Sequence, residues 1–174
     1  EAYAVQAVIA VSRNQQDEAL QLAQHAVELA PTSAAAKIAL SFAEQARFQI
    51  EAARDAVQQA VEDEPDNALA WARLSELWLM LGFRDRAVET ARHARDLAPD
   101  LARVQTVLGF AALAEFDRRR AEKAFRAAIE RDQADPQPRF GLGLALIRGG
   151  ALRDGRAEIE SAVLLDPNNS LLRS

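Results

Sequence analysis

His25 and His93 are the only imidazoles in the 174-residue chain, and there is no cysteine. Without a thiol, disulfides, sulfur nucleophiles and sulfur-ligated zinc are excluded. The stretch "EDEPD" (62–66) gathers four carboxylates. It lacks the ordered alternation and turn glycine of a calcium loop. "FGLGLALIRGG" (140–150) holds four of the seven glycines. A phosphate-binding loop needs glycines after a strand, followed by Lys-Ser/Thr or set in a βαβ unit. No strand pattern precedes these glycines, and Arg148 is followed by no lysine. "RRRAEKAFR" (118–126) is a local basic run, but Glu122 interrupts it and its spacing is helical, so it reads as a solvated face. "NNS" (168–170) matches a glycosylation acceptor, a three-residue pattern too short to carry weight alone. No catalytic residue, cofactor site or metal site emerges.

The elements that would position such residues follow one period. Prolines fall at Pro31, Pro65, Pro99 and Pro167, spaced by 34, 34 and 68 residues. The missing break belongs at Gln133, with Pro136 and Pro138 just beyond. The run-ins align as "AVELAP", "AVEDEP", "ARDLAP", "AIERDQ" and "AVLLDP". Small residues recur at fixed places: Ala19, Ala53, Ala87, Ala121 and Gly155, then Ala26, Ala60, Ala94, Ala128 and Ala162. Leu40, Leu74, Leu108 and Leu142 hold another. Small residues at helical spacing let helix axes approach, and proline ends a helix because it has no N–H to continue it. Each unit therefore reads as two helices. Asn67 and Asp100 suit helix starts, and Asp17 and Asp85 suit the positive ends of second helices. The histidines share one repeat position two units apart. With helices stacked about 10 Å apart they are separated by about 20 Å, too far to share a metal.

The pattern resembles the tetratricopeptide repeat (TPR) family. "WARLSELW" (71–78) is similar to its first-helix signature, with Ser75 where glycine is preferred, and "VLGFAAL" (107–113) supplies that glycine. Ala121, Phe125 and Ala128 match its second-helix signature. The resemblance implies an all-α, right-handed superhelical α-solenoid of stacked antiparallel helix pairs. The array would be single, with repeats at about 1–31, 32–65, 66–99, 100–133 and 134–167, and 168–174 opening a truncated sixth. Leu171 and Leu172, and the apolar residues of "RAEIESAVLL" (156–165), point to a fragment of a longer array or an end that self-associates. Phe48 and Phe116 sit where the family often has a turn glycine. Phenylalanine is strained in a left-handed turn, so those two turns are expected to take another shape.

In the resembled family the first helices line a concave groove for peptides or a helix. Carried over by register, the first unit offers Val5, Val8 and Val11. The second offers Ala35, Ile38, Ala39, Phe42, Gln45 and Ala46. The third offers Leu69, Ala72, Arg73, Glu76, Leu79 and Met80. The fourth offers Arg103, Thr106, Val107, Phe110, Leu113 and Ala114, and the fifth Gln137, Phe140, Gly141, Leu144, Ile147 and Arg148. Phe42, Phe110 and Phe140 are the expected anchors, Arg73, Arg103 and Arg148 would orient acidic groups, and Gly141 would open an apolar notch. The lysines and asparagines of carboxylate-clamping or sugar-transferase arrays are missing from these places.

Charge narrows the partners. Residues 1–87 carry 7 Lys+Arg against 13 Asp+Glu, and residues 88–174 carry 14 against 13, for a net −5. An acidic total argues against nucleic acid, where Lys/Arg neutralise phosphate. No apolar run reaches the roughly 20 residues that cross a bilayer, so no direct membrane insertion is expected. Only two of 21 basic residues are lysine, which points to a GC-rich bacterial genome and so to cytoplasm or periplasm, with any targeting segment outside these residues. The expected function is a non-catalytic scaffold that binds a protein or peptide through an apolar or amphipathic segment. The alternatives are an arm of a larger enzyme such as a transferase, or self-association.

Overall fold

A computed structural model describes residues 1–166; Pro167 and the expected sixth unit at 168–174 lie outside them. The described residues form ten α-helices and no strand. First helices are α1 (Ala2–Ser12), α3 (Ala34–Ala46), α5 (Ala68–Met80), α7 (Ala102–Ala114) and α9 (Pro136–Arg148). Second helices are α2 (Gln16–Leu29), α4 (Ile50–Asp63), α6 (Arg84–Leu97), α8 (Arg118–Arg131) and α10 (Leu152–Leu165). From α3 onward, equivalent helices begin 34 residues apart, the period of the proline breaks. Pro31, Pro65 and Pro99 each lie two residues beyond a second helix. Gln133 holds the fourth break without proline, and Pro136 opens α9 at N1, where its missing N–H costs nothing.

Local chemistry sets the helix starts. Ser33 Oγ accepts from Ala36 N (3.3 Å), Asn67 Oδ1 from Ala70 N (3.1 Å) and Asp135 Oδ1 from Gln137 N (2.9 Å). Such caps satisfy amides that have no partner in the first turn. Asp100 departs from expectation. Leu101 holds the cap position of α7, and Asp100 instead pairs with Arg131 at 2.5 Å.

The turn inside each pair overturns the expectation for phenylalanine. Phe48 and Phe116 adopt φ of +62° and +63°, alongside Asn14 at +58°, Gly82 at +82° and Gly150 at +87°. These five positions are 34 residues apart. All five turns close in the same way. Phe48 N donates to Gln45 O (2.9 Å) and Gln49 N to Glu44 O (3.0 Å), as Gly82 N does to Leu79 O (3.0 Å) and Phe83 N to Trp78 O (2.9 Å). This double closure binds carbonyls left open at a helix C-terminus. It imposes the left-handed residue whatever the side chain.

The chain divides into two compact units, Glu1–Thr90 and a second from Ala91, with the boundary inside α6. In the first unit, alanines of α1, α2 and α3 form one core cluster, including Ala7, Ala19, Ala23 and Ala39. A second gathers Val57, Ala60, Leu74, Leu77, Trp78 and Ala87 from α4, α5 and α6. Ser75, where the resembled family prefers glycine, is fully buried and donates to Ala87 O at 2.8 Å. In the second unit the core gathers Ala112, Ala121, Phe125, Leu142 and Ala145. The small residues Ala121, Gly155 and Ala162 are buried in it or beside it.

Candidate binding surface of the first helices

First helices pack on first helices: α1 on α3 and α3 on α5 in the first unit, α7 on α9 in the second. Each unit thus has a first-helix layer, and the residues expected to line a groove lie on these helices. The structure sorts them into three groups.

One group is exposed. In the first unit Val5, Val8, Leu69 and Met80 present apolar side chains to solvent. In the second, Leu144 and Ile147 do so, and Arg148 and Gln137 are exposed beside them.

A second group is half-buried. Phe42, Glu76 and Leu79 belong to the first unit, and Arg103, Phe110 and Phe140 to the second. Leu79 and Phe110 pack against their unit's core. The Phe110 ring meets Phe125 edge-on at 4.9 Å. Such a pair adds roughly 0.5–1.5 kcal/mol beyond area burial, so Phe110 holds α7 to α8 rather than standing free as an anchor.

The third group is buried, and two expectations fall with it. Gly141 opens no notch: the Phe125 ring already fills the space in front of it. Arg73 is 4% exposed and fully engaged within the unit. Its Nε donates to Ser41 Oγ (3.0 Å) and its Nη1 to Glu76 Oε2 (3.0 Å). Its Nη2 reaches Ser41 O (3.3 Å) and Gln45 Oε1 (2.5 Å). Its guanidinium lies over the Phe42 ring, 3.9 Å from the centroid. It therefore ties α5 to α3 instead of orienting a ligand. A planar fork can fill this role because it donates in several directions while its face stacks.

The other two arginines also reach neighbouring helices. Arg103 Nη1 donates to Gln137 Oε1 at 2.7 Å, joining equivalent positions of α7 and α9. Arg148 donates to Leu113 O at 3.2 Å and lies 4.4 Å over the Phe116 ring. Sequence reasoning misses these rungs. Polar residues about one repeat apart on consecutive first helices are the available signal.

The acidic stretch is absorbed by the fold. Asp63 pairs with Lys37, which is buried. Glu64 accepts from Ala34 N (2.7 Å), the first amide of α3, and from Asn67 Nδ2 (2.9 Å). These two hydrogen bonds, the Ala34 amide first, hold its carboxyl below the ordinary range. Both histidines are exposed; His25 meets Tyr3 edge-on at 4.5 Å and Glu28 Oε2 at 3.4 Å. Among the described residues no group of three or more His, Cys, Asp or Glu could hold a metal ion. No helix among them is long and apolar enough to cross a membrane.

No family model and no curated protein matches the chain. Solved structures do, and they define its class: the chain has the tetratricopeptide-repeat fold, with five helix pairs among the described residues. A thermophilic TPR protein of Thermus thermophilus is 20% identical, with a TM-score of 0.84 over 99% of this chain and 94% of its own. Pseudomonas aeruginosa pilF is 18% identical, with a TM-score of 0.73 over 98% of this chain and 78% of its own. YrrB, a TPR protein with an unusual peptide-binding site, is 18% identical, with a TM-score of 0.58 over 98% of this chain and 88% of its own.

Proposed function

We propose that this chain is a non-catalytic protein–protein interaction scaffold. It holds a peptide or amphipathic helix against the apolar side of its first-helix layers. The observation that carries this reading is the exposure of Val5, Val8, Leu69 and Met80 in the first unit, at the places expected to face a ligand. Their burial by a partner would be favourable at about 25 cal/mol per Å² of apolar surface. An amphipathic helix docks in this way through side chains spaced at i, i+3, i+4 and i+7. In the second unit Leu144 and Ile147 offer the same chemistry beside the Arg148 cation. The TPR protein YrrB, described as having a peptide-binding site, supports the class of ligand.

The anchor set differs from the one expected from register. Phe110 and Arg73 serve the fold, so substituting them would confuse binding with folding. Leu69 and Met80 are exposed and suit a clean test. The chain is panned against a displayed random-peptide library, and enriched peptides are re-tested on the Leu69→Glu/Met80→Glu double variant. Enrichment of peptides with helical apolar spacing, lost in a variant that melts like wild type, supports the proposal. Equal capture by both proteins refutes it.

A further inference from the structure

The exposed face of the second helices changes sign along the chain at fixed repeat positions. In the first unit these positions hold Asp17 on α2, Glu51 and Asp55 on α4, and Asp85 and Glu89 on α6, all exposed. In the second unit the equivalent places hold Arg119 and Lys123 on α8 and Arg153 on α10, also exposed. Residues 1–90 carry 7 Lys+Arg against 14 Asp+Glu, a net −7; residues 91–174 carry 14 against 12, a net +2.

Ion pairs inside the second unit use only part of the basic run. Arg118 pairs with Glu122, and Arg120 with Glu115 (3.3 Å) and Asp117 (3.4 Å). Arg119, Lys123 and Arg126 are exposed and have no ion-pair or hydrogen-bond partner among the described residues. They lie at i, i+4 and i+7, one stripe of α8. The three arginines that open α8 also face the positive end of its dipole, with no acidic residue in its first turn. Ion pairs compensate Arg118 and Arg120 there, and none among the described residues compensates Arg119. On α4, Glu51 has no partner among the described residues, and Asp55 pairs only with its neighbour Arg54, at 2.8 Å.

We propose that the α8 stripe of one copy docks on the acidic α4 face of a second copy of this chain. The spacing fits: Glu51 and Asp55 are one helical turn apart, about 6 Å, as are Arg119 and Lys123. Two pairs therefore form in a single register. One exposed pair adds little, but matched stripes of opposite sign steer encounter and fix register. The donor and acceptor faces are different patches, so the contact is heterologous, and a pair of chains keeps one free basic face on one copy and one free acidic face on the other. This proposal uses the second helices, and it stands or falls separately from ligand binding on the first helices.

Sedimentation velocity over a concentration series tests it, using the full chain at low ionic strength and at 1 M salt, where the Debye length shrinks to about 3 Å. Wild type is expected to associate at low salt and to dissociate at high salt. Arg119→Glu/Lys123→Glu and Glu51→Lys/Asp55→Lys are each expected to weaken association about tenfold or more. An equimolar mixture of these two variants is expected to regain it, which misfolding would not allow. Should a charge reversal disturb the melt, Arg119→Gln/Lys123→Gln takes its place with the same expected weakening. A wild type that stays monomeric at low salt overturns the proposal. So does association that survives both reversals, or a mixture of folded variants that fails to restore it.

Discussion

The Phe125 ring fills the space in front of Gly141. A Cβ on that glycine would lie 2.9 Å from the ring's Cε2, with two further ring atoms closer still. Gly109 backs onto the same ring from α7, so one buried phenylalanine of α8 is held between glycines of two first helices. Glycine costs about 1 kcal/mol against alanine inside a helix. Here that cost leaves room for a ring whose deletion would cost roughly 3–5 kcal/mol.

Gly141→Ala and Gly109→Ala are therefore expected to destabilise, although alanine is the better helix former. Overpacking costs about 1–3 kcal/mol and outweighs the propensity gain. Adding Phe125→Leu to Gly141→Ala should recover part of the loss. Chemical denaturation of the two single variants and the double variant measures the coupling. Additive effects would contradict the contact.

Phe48 bears the opposite sign. It is 85% exposed and held at a positive φ. A non-glycine residue there costs roughly 1–2 kcal/mol. Part of the relief from Phe48→Gly is offset by glycine's greater freedom when unfolded. A net stabilisation of about 0.5–1 kcal/mol is expected. Phe116→Gly should gain less, because it also removes the Arg148 stack, worth about 0.5–1 kcal/mol at exposed sites. Melting curves of the two variants, side by side, check the ranking.

These turns show what is legible in the sequence. Helix boundaries and the turn position follow from the period, because proline and small residues act locally. The conformation of Phe48 does not, because the paired closing hydrogen bonds override one residue's preference. Gly141 misleads for a different reason: Gly109 and Gly141 are 32 residues apart, off the 34-residue period, and they converge on Phe125 only in three dimensions. Arg73 reads as a ligand contact because Ser41 and Gln45, which engage it, lie 32 and 28 residues earlier in the chain.

Arg73→Lys is expected to behave as a disruptive change. Lysine keeps the charge but loses the fork that reaches Ser41, Gln45 and Glu76 together and the flat face over Phe42. A loss of about 1–3 kcal/mol is expected, the range for leaving buried hydrogen-bond partners unsatisfied. A double-mutant cycle with Phe42→Leu should return a coupling of about 0.5–2 kcal/mol for the stack. No coupling would contradict the stacked geometry.

Glu64 makes stability depend on pH in a stated direction. Its carboxyl is held below an ordinary value near 4.5 by Ala34 N and Asn67 Nδ2. A depressed folded value adds stability above the unfolded value, and that stability is lost as pH falls through the folded one. Glu64→Gln should thus be less stable than wild type at neutral pH, with the gap closing as pH falls below the carboxylate range. Denaturation at neutral and acidic pH checks it, and a gap that widens in acid would contradict the pairing.

The most direct measurement of the binding proposal is calorimetric titration, at several temperatures, of a library-selected peptide into wild type and into Met80→Glu. Burial of the apolar first-helix face predicts a negative heat-capacity change on binding. It also predicts affinity about tenfold or more weaker in Met80→Glu, the effect of losing roughly 1.4 kcal/mol. A heat-capacity change near zero, or equal affinity for both proteins, would contradict it.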